Sequence, residues 1–90
     1  MTPILHVKII SPKETIFDGE AFAVSSENSI GPFDILAEHA NFITIIEGQP
    51  IVVRLPEKNK EPLTFNFPLA IIYNINNKVS IYTDIQYNLF

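Results

Sequence analysis

The sequence predicts an all-β fold, an antiparallel β-sandwich of about eight to ten short strands. Three observations carry this. Apolar and polar residues alternate with period two in segment after segment, as on half-buried strands. Turn-forming Gly, Pro and Asn recur at short intervals between those segments. No stretch holds a 3.6-residue apolar period over three turns, so no substantial helix is expected.

In chain order, Ile4–Ile10 alternates Leu5, Val7 and Ile9 against His6 and Lys8. Ser11-Pro12-Lys13 ends this strand, since proline offers no ladder donor. Glu14–Phe17 reads as a second strand, and Asp18-Gly19 as a tight turn. Ala21–Ser25 reads as a third strand, with Phe22 and Val24 toward the core. Glu47-Gly48-Gln49-Pro50 is a turn, and Ile51–Leu55 alternates again. Residues 56–62, bracketed by Pro56 and Pro62, form a charged hairpin tip that carries Lys58 and Lys60. Leu63, Phe65 and Phe67 alternate with Thr64 and Asn66, and Pro68 interrupts the strand. Leu69–Ile75 is apolar at both parities, which predicts a strand covered on two sides. Asn76-Asn77 supplies a turn, and Val79–Ile85 closes the fold. The expected core is Leu5, Val7, Ile9, Phe22, Val24, Ile35, Phe65 and Ile81.

The 90 residues are read as one domain, 1–90. A chain of this size buries only about 60–65 % of its unfolded surface. With no cysteine, neither a disulfide nor a thiolate metal site can staple it. The hydrophobic content of 47 % suffices for one core, and the mean hydropathy of +0.20, high for so small a domain, suggests apolar surface that a partner covers. The net charge is −4 and the six basic residues are scattered. Without a basic stripe no nucleic-acid partner is expected. No apolar run approaches the roughly 20 residues that span a bilayer. Met1-Thr2-Pro3 does not open a signal peptide. The expected location is the cytosol, or the cytosolic face of a membrane.

The densest chemistry lies in Asn28–Ile46. The polar turn cluster Glu27-Asn28-Ser29 runs into Ile30-Gly31-Pro32, a turn in which apolar Ile30 and Pro32 tend to stay exposed unless a partner covers them, then the apolar run 33–36. A polar corner, Ala37 to Asn41 with His39 at its middle, precedes the apolar run 42–46. Only His6 and His39 could anchor a metal, short of the three or four ligands zinc needs. Ser25, Ser26, Asp34 and His39 supply the inventory of a triad without a nucleophile elbow, and a triad is defined by geometry. Asp18, Glu20 and Asp84 read as solvated charges. The three glycines stand singly at 19, 31 and 48, so no phosphate loop exists. No cofactor and no catalytic set are expected. A corner histidine such as His39 serves the local backbone, an interface, or a protonation switch.

The chain resembles the N-terminal β-sandwich domain of the epsilon subunit of rotary ATP synthases. Leu5–Pro12 resembles the family's first strand with its Ser-Pro ending, and Ile16–Gly19 its Phe-x-Gly turn. In the central signature Gly31, Phe33, Ile35, His39, Ala40 and Thr44 fall in register. Asp34 stands for the family's second glycine, Ala37-Glu38 for its Pro-Gly corner, and Asn41 for its later proline. Leu69-Ala70 replaces a Gly-Gly step, and Val79–Asp84 resembles the closing strand. Spacing is kept while corner glycines are lost, so the fold should persist with altered corner geometry.

The resemblance implies a non-catalytic rotor subunit of a proton-transporting ATP synthase. It would dock the gamma subunit to the membrane c-ring, couple proton flow to ATP synthesis, and meet the membrane only through the c-ring, peripherally at its cytoplasmic face. It implies that Ser29, Ile30, Gly31, Pro32 and Phe33 meet the c-ring, and that His39 lies where gamma and the ring are met. ATP binding and inhibition belong to a helical hairpin that would begin where this sequence ends, and are not carried over. The alternative is a free-standing β-sandwich that binds another protein.

Overall fold

The computed structural model describes residues 4–84. Nine strands form among them, with no helix: β1 (Leu5–Ile10), β2 (Thr15–Ala21), β3 (Ala23–Glu27), β4 (Pro32–Leu36), β5 (Phe42–Ile46), β6 (Ile51–Arg54), β7 (Leu63–Phe65), β8 (Ala70–Ile75) and β9 (Lys78–Thr83). One sheet has the order β2-β1-β9-β8-β5 and the other β4-β3-β6-β7. All pairings are antiparallel except β1 with β9, which run parallel. The two-sheet all-β fold is therefore as the alternation predicts. Of the expected last strand, Ile85 lies outside the described residues.

Register explains the core. Across the five-stranded sheet, Phe17, Ile9, Ile81, Ile72 and Thr44 form one inward row. Gly19, Val7, Val79, Asn74 and Phe42 form the next. In the four-stranded sheet Ile35, Val24 and Val53 align and are fully buried. Of the expected core, Leu5, Val7, Ile9, Val24, Ile35 and Ile81 are buried, and Phe65 packs partly buried against them.

Phe22 is a correction: it is 49 % exposed. It is the single residue between β2 and β3, where the chain passes from one sheet to the other. Its N–H donates to the Arg54 carbonyl at 2.7 Å. The crossing resets the alternation, so Ala21, Ala23 and Val24 are buried instead. Asp18-Gly19 is a second correction: it continues β2 and does not turn. Gly19 opposes Val7, and a Cβ there would meet the Phe17 ring at 3.3 Å. The glycine accommodates the ring within a strand. The third correction concerns β8. Tyr73 and Ile75 are exposed on its outer face, so the strand is covered on one side only.

The outer face of the five-stranded sheet is divided. Its β1–β2 half is charged, with His6, Lys8, Asp18 and Glu20, and His6 Nε2 lies 2.7 Å from Asp18 Oδ1. Its β5–β8 half, continued by Tyr82 of β9, is apolar. Ile45, Ile71 and Tyr82 form one cross-strand row there, and Ile43 and Tyr73 pair in the next.

Candidate functional site

The loop between β3 and β4 is fastened by one side chain. Asn28 Oδ1 accepts from the N–H groups of Ile30 (2.9 Å) and Gly31 (3.2 Å). Its amide donates to Thr44 Oγ1 at 2.9 Å, which ties the loop to β5. The backbones of Asn28 and Gly31 also bond reciprocally, at 3.1 and 3.2 Å. This is the local turn chemistry that asparagine favours. Gly31 sits at φ 146°, a conformation that side-chain-bearing residues rarely adopt.

The consequence is the placement of Ile30. It is 95 % exposed, at the tip of a loop whose backbone is held by hydrogen bonds. Ser29 and Pro32 are exposed beside it, and Gly31 is half-buried. Phe33 turns inward, half-buried, its ring edge-on to Phe42 at 5.8 Å. Ser29 to Pro32 thus form one surface, and Phe33 seats it on the core.

His39 lies at the other end of β4. Pro32 to Leu36 spans about 13 Å of strand, so the structure does not bring His39 to the loop. The corner 37–41 is a turn closed by the His39 N–H to the Leu36 carbonyl at 3.1 Å. Glu38 takes φ 70°, at the position where the resemblance places a glycine. The strain is offset by neighbours: the Glu38 N–H donates to Asn77 Oδ1 at 2.7 Å. Asn41 Oδ1 accepts from the Asn76 N–H at 2.8 Å. The His39 ring pairs with the Ala40 carbonyl through Nδ1 at 2.8 Å and lies 5.0 Å from the Phe42 ring. Its visible role is to the local backbone.

The triad inventory does not assemble. Ser25 Oγ donates to Asp34 across β3 and β4, Ser26 Oγ to the Pro50 carbonyl, and His39 to neither. Lys58 lies in the loop after β6, and β6 leaves at Arg54, opposite Ala23. Leu36 also opposes Ala23. The charged tip is therefore opposite Ile30 but at the same end as His39. Sequence reasoning missed the exposed β5–β8 face. The consecutive isoleucines carry its signal, but burial and exposure look alike in an apolar run.

Fold and site together define a small two-sheet β-sandwich protein that presents an exposed apolar residue on a hydrogen-bonded loop. The sequence matches the family described as the ATP synthase delta/epsilon chain, beta-sandwich domain, over residues 4–87. The chain belongs to that family. Among curated relatives, it is 33 % identical over 63 residues to the ATP synthase epsilon chain of Sulfurimonas denitrificans, covering 70 % of this chain and 48 % of that one. It is 30 % identical over 84 residues to that of Clostridium botulinum (strain Alaska E43 / Type E3), covering 93 % and 61 %. The chain thus spans about half to three-fifths of the length of these relatives.

The fold is shared with a chain in the central stalk/c-ring structure of the Tetrahymena thermophila mitochondrial ATP synthase. There the TM-score is 0.73 at 14 % identity, covering 97 % of this chain and 68 % of that one. A chain of the Euglena gracilis mitochondrial ATP synthase gives 0.78 at 15 %, covering 92 % and 52 %.

Proposed function

We propose that this chain acts as a non-catalytic central-stalk subunit of a proton-transporting ATP synthase. It joins the gamma subunit to the c-ring, peripherally at the cytoplasmic face of the membrane, and helps couple proton flow to ATP synthesis. The observation that carries this is Ile30, 95 % exposed on a loop already ordered by Asn28. An apolar anchor on a preorganised loop docks with little ordering cost, and such anchors dominate interfaces. The separation of the two corners supports a bridge: the Ser29–Phe33 end for the ring, the His39 end for gamma.

Pull-down from detergent extract tests the reading. The tagged chain should retain both gamma and the c-ring. Ile30→Asp should release the ring while keeping gamma, and His39→Asp should weaken gamma. A chain that retains neither partner contradicts the proposal.

A further inference from the structure

We propose that the free edge of β5 is a strand-addition site for an extended apolar segment of another protein, ending in a lysine or arginine. Among the described residues β5 ends its sheet and pairs only with β8. Alternate residues of an edge strand point their N–H and C=O groups away from the sheet, where they template a further strand. The other three edges carry the devices that block such pairing. β2 bears Asp18 and Glu20, β4 opens on Pro32 and carries Asp34, and β7 is only three residues long. β5 reads Phe-Ile-Thr-Ile-Ile, with no charge and no proline. Its outward side chains are bare: Ile43 is 61 % and Ile45 55 % exposed. An added strand would extend the apolar outer face and cover both.

Charge decides the occupant. At the Ile45 end the edge opens into a concavity lined by Glu27, Asn28, Ser29, Ile45, Glu47 and Gln49. Among the described residues two carboxylates and no cation line it. The chain has no lysine or arginine between Lys13 and Arg54, so neither β5 nor the loops that flank it in sequence supply the counter-charge. A strand lying along Phe42–Thr44 places its terminal basic side chain there. A second copy of the chain fits worse. It brings a further net charge of −4, and two-fold pairing about Thr44 sets Glu47 opposite Asn41, beside the Glu38 corner. The inference needs no assumption about which subunit supplies the strand.

The test uses the full 90-residue chain, labelled with nitrogen-15, and synthetic octapeptides of alternating Thr and Val ending in Lys or in Glu. In the free chain, alternate amides of Phe42–Ile46 should exchange quickly. The Lys-ended peptide should protect them and shift only β5 and the amides of Glu27 and Glu47. It should bind about two- to five-fold more tightly than the Glu-ended peptide, the range of one exposed ion pair, and Glu47→Lys should reverse that preference. N-methylation of alternate peptide nitrogens should abolish binding, since the backbone supplies the attachment. No binding, binding away from β5, or equal binding of the N-methylated peptide overturns the proposal. So does protection of every β5 amide in the free monomer, which assigns the edge to the chain itself. A dimer that protects the same amides assigns it to a second copy and overturns it equally.

Discussion

Asn28→Ala tests whether the Asn28 side chain holds the exposed loop in place. The substitution removes one acceptor from two N–H groups, those of Ile30 and Gly31. It also removes the donor to Thr44 Oγ1. Each hydrogen bond contributes about 0.5–1.5 kcal/mol net. The Ile30 bond is exposed and water recovers part of it, whereas the Thr44 bond is partly buried. The expected loss is about 1–3 kcal/mol. A domain of this size loses about 4–8 °C in Tm per kcal/mol, so Tm should fall by about 5–20 °C. Asn28→Asp keeps the acceptor and loses only the donor, and should melt between the two. Thermal unfolding followed by circular dichroism provides the assay, with amide exchange of Ile30 as the local readout, since the Gly31 N–H keeps the backbone carbonyl of residue 28. An Asn28→Ala chain that melts like wild type, with the Ile30 amide still protected, would refute the argument.

Two further outcomes follow from burial and backbone geometry. Ile81→Ala, at a fully buried site in the central inward row, should cost about 2–5 kcal/mol, whereas the half-exposed Phe22→Ala should cost about 1 kcal/mol or less; urea denaturation ranks the pair. Asn77→Ala loses the acceptor for the Glu38 N–H and puts Ala at φ 66°, so it should cost about 1–3 kcal/mol, while Asn77→Gly, which relieves the φ, should cost less in the same assay.

The fold class was legible because most strands bury one face and expose the other, so period two survives in the sequence. Val7, Ile9, Val24 and Ile81 could be placed on that basis alone. Phe22 could not, because a one-residue passage between sheets resets the parity and leaves no mark in composition. Gly19 misled for a related reason: Asp-Gly is turn chemistry in isolation, yet the ring of Phe17 makes glycine the residue that fits inside a strand. The parallel pairing of β1 with β9 joins strands about 70 residues apart in sequence, beyond the reach of local pattern. Of the candidate site, the turn at Asn28–Gly31 was readable from its residue types. So was the exposure of Ile30, an apolar side chain in a turn; the fastening of that loop to Thr44 was not, since it depends on β5 lying beside the loop. Ile43 and Ile45 lie at the surface within an apolar run that does not state which of its faces another element covers.

The central claim is that Ile30 is an anchor for assembly and not for folding. The most direct measurement is co-purification of the full chain with gamma and the c-ring from detergent extract, for wild type, Ile30→Asp and Lys58→Asp, alongside the Tm of each free chain. Ile30 is almost fully exposed, so Ile30→Asp should melt within about 0.5 kcal/mol of wild type while its yield of c-ring falls at least about tenfold, as loss of an interface anchor requires. Lys58→Asp, at the far end from the loop, should recover the ring like wild type. Full recovery of the ring by Ile30→Asp, or its loss only together with a fallen Tm, would contradict the account.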